Sequence, residues 1–406
     1  MKNWKFNFAI VWLSQFIVLA GFSASSPFFA FYIRELGVSD VNQVALWSGA
    51  VNAIGPIVIA ITSPLWGLMA DRHGRKLMLI RAAFGQAIGF GAMALVGNVY
   101  QLFGLRIFQG AVAGTIPAGM ALVASFVPTA QLGFALGLMQ MAIYAGVSLG
   151  PLIGGVIADQ LGYRWTFGFT GIVFLLSGLM VLLLVRERFE RPKPGSGGGS
   201  LASSARMMFR TLPVLAAMAT MAGMYLADST PRPTLPLFVE SLGTGAGRVN
   251  TSTGLVYGAA SLASALSALI MGRAGDRWRP RVILLAGAVG AALAYMAQGA
   301  SSSLPMLIAA GFGAGVCVGG VLPTANAALA RATPPGQQGA IYGLSHAVNH
   351  VGSALGPMLG ASLVTVAGLR GPFFAAAAVM AVVAAAVAVI SKKEAAQAAS
   401  PGSLER

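Results

Sequence analysis

Apolar stretches of about 20 residues recur from one end of this 406-residue sequence to the other. Each is long enough to cross the roughly 30 Å hydrocarbon core of a bilayer. A chain immersed in hydrocarbon must satisfy its backbone polar groups internally, which leaves helices or a closed barrel. These stretches are rich in Gly, Ala and Leu and lack the ten-residue alternation of barrel strands, so helices are the expectation. Composition agrees. Hydrophobic residues make up 56% of the chain and charged residues 9%, against about 25% charged in soluble domains.

Twelve spans are predicted, at 8–33, 44–69, 78–98, 101–124, 133–158, 165–186, 211–239, 250–272, 281–300, 304–330, 337–366 and 369–391. The N-terminus, MKNWKFNF, is a short basic flank without a small-residue cleavage site, so the first span is read as retained. The net charge of +15 does not indicate nucleic acid, because the basic residues sit in short loops and no basic face interleaved with aromatics occurs. With both termini inside, the inside segments carry 20 Lys and Arg and the outside ends carry five, Arg34, Arg164, Arg232, Arg248 and Arg370, while Arg106 lies within a span. That asymmetry predicts cytoplasmic termini in a bacterial cytoplasmic membrane. Cys317, the one cysteine, cannot form an internal disulfide.

The chain divides into an N-terminal six-helix bundle (1–186), a cytoplasmic linker (187–210) containing RPKPGSGGGS, a C-terminal six-helix bundle (211–391) and a cytoplasmic tail (392–406). The two bundles repeat each other. GVSLGPLIGG (146–155) matches GSALGPMLGA (352–361), and GLMADRHGRK (67–76) matches GRAGDRWRPR (272–281). Pro117 matches Pro323, and FYIRELG (31–37) matches LFVESLG (237–243), all at an offset of 205 or 206. Parallel six-span repeats are a transporter architecture, with the binding site between the halves near the bilayer midplane.

The loop after the second span reads Gly67-Leu-Met-Ala-Asp71-Arg72-His73-Gly74-Arg75-Lys76. Gly67 admits a close helix, Asp71 offers an acceptor to a helix N-terminus or an arginine, and Gly74 permits a tight turn. This loop resembles the G-x-x-x-D-R-x-G-R-[KR] signature of the major facilitator superfamily at every position. The resemblance implies an inside gate containing Gly67, Asp71, Arg72, Gly74 and Arg75, with Asp276 and Arg277 in the repeat. Arg106, Gln109, Gly110 and Gly114 are similar to the superfamily's fourth-helix motif. A charge inside a span is a functional candidate, here facing a cavity, pairing with a carbonyl or carboxylate, or serving the bundle structurally. Gly146, Gly150, Pro151, Gly154 and Gly155 resemble the antiporter motif of drug exporters. Glycines four apart also allow close helix packing by themselves. Over the whole chain the likeness is to twelve-helix drug:proton antiporters, the bacterial multidrug and tetracycline exporters.

Of the eleven acidic residues, Asp228 alone lies well within a span. It sits in YLADSTPRPTLP, where Pro231, Pro233 and Pro236 predict a bent or unwound outer helix. Arg232 reaches it if that turn stays helical. Burial favours a protonated carboxyl and a close arginine an ionised one, so Asp228 and Arg232 form a candidate proton-coupling pair; a static pair pinning the helix is the alternative. Many relatives in this branch carry an acid in the first helix, and this chain has none before Glu35. His346 and His350 are a second candidate, four apart on one face; a two-histidine metal site lacks a third ligand at motif spacing. Candidate cavity residues are Phe22, Phe29, Tyr32, Asn52, Gln109, Gln140, Tyr144, Tyr225, Tyr257, Asn326 and Asn349, a lining suited to amphipathic or weakly charged solutes.

The resulting expectation is a secondary active transporter exporting amphipathic drug-like molecules in exchange for protons. The partners are a small-molecule substrate, the proton and the lipid bilayer, with a monomeric protein, no nucleic acid, no cofactor and no metal. No nucleophile–base constellation or nucleotide loop points to an enzyme. The alternatives are a uniporter or symporter of a metabolite, sugar or lipid, and a non-transporting membrane sensor.

Overall fold

The structure is a computed structural model, and it describes residues 4–187, 212–243, 248–274, 280–332 and 338–398. The predicted positions Asp276 and Arg277 fall outside these residues, as do the side chains of Asp71 and His346. Among the described residues the secondary structure is α-helix with one 3-10 turn and no strand.

Helices occupy each of the twelve predicted ranges. The first span is α1 (Trp4–Ser25), a 3-10 turn (Ser26–Phe28) and α2 (Phe29–Glu35). There follow α3 (Val41–His73), α4 (Arg75–Met93), α5 (Val99–Ala111) with α6 (Thr115–Phe126), α7 (Thr129–Leu161) and α8 (Tyr163–Leu184). The second half comprises α9 (Leu212–Ser229) with α10 (Leu235–Ser241), α11 (Val249–Ala274), α12 (Pro280–Ala300), α13 (Leu304–Ala332), α14 (Gln338–Ala367) and α15 (Gly371–Ala398). Nine stretches among the described residues are long and apolar enough to cross a membrane. The protein is a multi-pass membrane protein.

Three spans are broken, and each break has a local cause. Pro27 interrupts the first span and Pro231 and Pro233 the seventh, since proline lacks the N–H that an i−4 carbonyl needs. The seventh-span break was expected; the first was not. The fourth span, predicted as continuous, breaks at Val112–Gly114. Gly114 there has φ of +127°, a conformation that a Cβ disfavours.

The halves build their interiors differently. The N-terminal core is aromatic, with Phe29, Tyr32, Phe90, Phe167 and Phe174 packed together. The C-terminal core is made of alanine and methionine, including Met221, Met224, Ala288, Ala291 and Met380. The halves meet along two seams, α7 against α11 and α14 against α3. The face bearing Trp4 and the turn at Gly74 is called here the basic face, and the face bearing Asp40 and Gly162 the far face.

Candidate functional site

Small residues set how closely the helices approach. A Cβ placed on Gly146, Gly150 or Gly154 would meet the α1 backbone at Phe16, Ala20 and Ala24. The equivalent Gly352, Gly356 and Gly360 abut α9 at Ala222, Leu226 and Thr230. The predicted glycine motif therefore packs helices within a half. Its last member, Gly155, faces the other way, with a Cβ 2.6 Å from the Asn250 carbonyl oxygen of α11.

At the far face the two halves are joined. Gly49 of α3 lies under Ala361 and Pro357 of α14, and a Cβ there would come within 2.8 Å of the Pro357 carbonyl oxygen. Gly254 and Gly258 of α11 pack on Pro151 and Leu152 of α7. Ser48 donates to the Pro233 carbonyl at 3.2 Å, and Ser148 to the Gly258 carbonyl at 3.3 Å. Arg34 pairs with both carboxylate oxygens of Glu240 at 2.9 Å. These two positions are separated by the repeat offset of 206, so equivalent points of the two halves carry opposite charges and meet each other.

Toward the basic face the seam glycines are exposed. Gly67 lies eighteen residues beyond Gly49 on α3, and Gly137 eighteen residues before Gly155 on α7. That is about five turns, so each pair shares one helix face. A Cβ on Gly67 or Gly137 would meet nothing within 4 Å among the described residues. The close approach expected at Gly67 is thus not made with any described residue. Gly74 makes the predicted tight turn, with φ of +95°. The first amides of α4, Arg75 and Lys76, donate to Glu187 at 3.0 and 2.8 Å. Arg72 is exposed on this face.

Asp228 lies in the last turn of α9, just before the seventh-span break. Its carboxylate pairs with the Arg232 guanidinium, whose Nε also lies 3.3 Å from the Asp228 carbonyl oxygen. The pair forms although α9 ends at Ser229, so the helical turn assumed from sequence is unnecessary. The two side chains are 36% and 53% exposed, yet they stand within the membrane-crossing section. Tyr295, buried in the C-terminal core, stands within electrostatic reach of Asp228 and Arg232. Tyr257 donates to the Arg232 carbonyl at 2.7 Å, and Tyr225 stands within electrostatic reach of both Asp228 and Tyr144 of the other half. Tyr144 lies beside Gln140, which is one turn earlier on α7. The partly exposed pair is therefore surrounded by tyrosines contributed by both halves. Arg232 is directly followed by Pro233, whose carbonyl holds Ser48 across the far seal. The pair is thus tied to the closure itself.

Several predicted cavity residues lie elsewhere. Phe29 and Tyr32 are fully buried in the N-terminal core, stacked near Phe167, and the Tyr32 hydroxyl donates to the Met93 carbonyl at 2.7 Å. Their aromatic bulk fills the core of the bundle and leaves them no open face. Phe22 packs edge-on to Phe90. Gln109 is buried and binds Arg106. Asn52 is half-buried and donates to the Ser48 carbonyl of its own helix. Asn326 and His350 are half-buried, and Asn349 is buried with Oδ1 unpartnered among the described residues. No cluster of three metal-ligating side chains occurs among the described residues.

Arg106 is inside the bundle, 5% exposed. Its Nε donates to the Val51 carbonyl at 2.9 Å, its guanidinium binds the Gln109 side chain, and it lies over the Phe29 ring. Of the sequence alternatives, the carbonyl partner is the one observed. Four carbonyls around the fourth-span break are met by side chains. Gln86 donates to the Gln109 carbonyl, Trp66 to Ala111, Arg81 to Ala113 and Gln15 to Thr115. Sequence reasoning missed these four residues. A backbone carbonyl freed by a break leaves no residue pattern to search for.

The comparisons agree with this geometry. The family description Major Facilitator Superfamily matches residues 11–250 and 221–406. The chain is 32% identical over 403 residues to the Multidrug resistance protein MdtG of Klebsiella pneumoniae (strain 342), covering 98% of this chain and 97% of that protein. It is 34% identical over 373 residues to the protein of the same name from Dickeya zeae (strain Ech586), covering 91% of each. Among solved structures, a bacterial homologue of the human lysosomal transporter Spinster, in an inward-facing and occupied conformation, aligns with a TM-score of 0.79 at 15% identity, covering 95% and 96% of the two chains. The nucleoside transporter NupG aligns with a TM-score of 0.77 at 12% identity, covering 95% and 99%. At such identities these structures speak for the fold alone. With its repeated halves, its glycine seams and its family match, the chain belongs to the major facilitator superfamily, a family of membrane transporters and not of enzymes.

Proposed function

We propose that this protein exports amphipathic drug-like molecules from the bacterial cytoplasm in exchange for protons, by alternating access, as a monomer in the cytoplasmic membrane. The distribution of Lys and Arg supports a cytoplasmic basic face with both termini on that side. The conformation described above is then inward-open. The relatives named as multidrug resistance proteins support the substrate class and the outward direction.

The observation that carries the reading is the Asp228–Arg232 pair within the seventh span, near Tyr295 and adjoining the far seal. Withdrawal and return of Arg232 during the cycle is the step that would couple the Asp228 carboxylate to proton exchange. Tyr144, Gln140, Tyr225 and Tyr257 supply the aromatic and amide walls for an amphipathic solute. His346 and His350 stand behind Asp228 as proton carriers. Asp71, Arg72 and Arg75, with Asp276 and Arg277, close the inner gate when the halves rock together on the cytoplasmic side, and Gly67 then supplies the close approach.

The test is substrate-dependent proton movement in inverted vesicles. Wild-type protein should dissipate an imposed pH gradient when an amphipathic substrate is added, and Asp228→Asn should insert normally yet leave the gradient intact. Normal proton-driven export by Asp228→Asn would overturn the coupling role.

A further inference from the structure

The inner-gate pattern occurs a second time, at the opposite face. Gly67-Leu-Met-Ala-Asp71-Arg-His-Gly74 ends α3 at the basic face. Gly155-Val-Ile-Ala-Asp159-Gln-Leu-Gly162 ends α7 at the far face, and both read G-x-x-A-D-x-x-G at an offset of 88. The backbone repeats as well as the residues. Gly74 and Gly162 have φ of 95° and 90°, and their amides donate to Ala70 and Ala158 at 3.0 and 3.1 Å. The second and fifth spans point in opposite directions, as the nested inverted repeats of such halves require.

Asp159 reaches across the seam to the start of α11. Its carboxylate accepts from the Thr251 amide at 2.8 Å, the Thr251 hydroxyl at 2.5 Å, the Asn250 side-chain amide at 2.8 Å and the Asn250 backbone amide at 3.3 Å. Tyr163 adds a 3.3 Å bond to Asn250 Oδ1. The first amides of a helix lack intrahelical partners, and a carboxylate there also meets the positive end of the helix dipole. The other seam differs. There α3 is capped by its own Asp40, which accepts from Gln43 at 2.8 Å. The repeat equivalents of Asn250 and Thr251 are Val44 and Ala45, and that of Asp159 is Thr365, which bonds within α14. One helix of the far seal therefore carries its cap with it, and the other takes its cap from the opposite half.

We infer that Asp159 is the outer latch of the transport cycle, holding the far face shut by capping α11 from the other half. Opening the far face separates α7 from α11 and strips Asn250 and Thr251 of these acceptors, so the carboxylate favours the sealed state. It is a positioning residue and touches no substrate. The inference rests on alternating access, and not on the solute moved or on Asp228 as the proton carrier.

The experiment measures the distance between spin labels at Ser39→Cys and Ser302→Cys, exposed far-face sites of the two halves, in a Cys317→Ser background with the full-length protein in nanodiscs. Removing a carboxylate cap with Asp159→Ala should raise the ratio of opened to sealed far faces about tenfold without any substrate. Asp159→Asn, which keeps a capping oxygen, should restore most of the sealed population. Thr251→Val, a milder change, should raise the ratio about threefold and serves where Asp159→Ala does not fold. An amphipathic substrate added to the parent distinguishes the two ideas. If substrate opens the parent and neither Asp159→Ala nor Thr251→Val shifts the distribution, the latch is wrong and alternating access stands. If nothing opens the far face in any sample, both are overturned.

Discussion

The two ends of each seam teach more than either alone. On α3, Gly49 is pressed against α14, and Gly67, on the same side five turns away, faces open space. On α7, Gly155 is pressed against α11, and Gly137 is open. A glycine kept for flexibility alone would show no such pairing. Two glycines on one face, one used and one unused, describe halves that touch at one end at a time. Under the proposed alternating access, the unused member is the contact of the alternate state.

The comparison can be broken by filling these positions. The largest effect is expected within a half, at Gly154, where a Cβ would fall on the Ala24 backbone. Both contacting groups are main chain and cannot rotate away, so Gly154→Val should separate α1 from α7. The expected result is loss of most folded protein from the membrane, read by detergent-solubilised yield on size exclusion.

Next come the paired seam positions. Gly155→Val should cost the sealed conformation about 1–3 kcal/mol through overpacking and expose the far face to a membrane-impermeant thiol reagent at a nearby cysteine. Gly137→Val should leave that labelling unchanged, because its Cβ has room, and should impair transport by obstructing the other state. Equal labelling of the two variants would remove the distinction between the ends. The smallest effect is expected at Arg34 and Glu240. The pair is exposed on both sides, and such ion pairs contribute about 0–1 kcal/mol. Arg34→Ala should alter transport by less than about fivefold, and the double exchange of Arg34→Glu with Glu240→Arg should recover the loss.

Much of this was legible in the sequence. Hydropathy located the spans, and the 206-residue offset revealed the halves. Three prolines foretold the break beside Asp228. The breaks in the first and fourth spans were hidden because an apolar average over 20 residues does not register a three-residue interruption. The cavity assignments of Phe29 and Tyr32 failed because residue type says nothing about which side of a helix faces its own bundle. Arg106 was recognisable as a site, but its partner, the Val51 carbonyl, has no sequence signature. Asp159 was within reach. Its pattern repeats that of Asp71, and a search at offsets shorter than the half-length finds it.

The central claim is that one interface closes as the other opens. Distances measured in one sample at the far face, between labels at Ser39→Cys and Ser302→Cys, and in a second at the basic face, between His73→Cys and Val282→Cys, test it directly. Addition of an amphipathic substrate under an imposed pH gradient should lengthen the far-face distance and shorten the basic-face distance, with matching populations. Two distances that lengthen together, or a far face that opens while the basic face stays fixed, would contradict it.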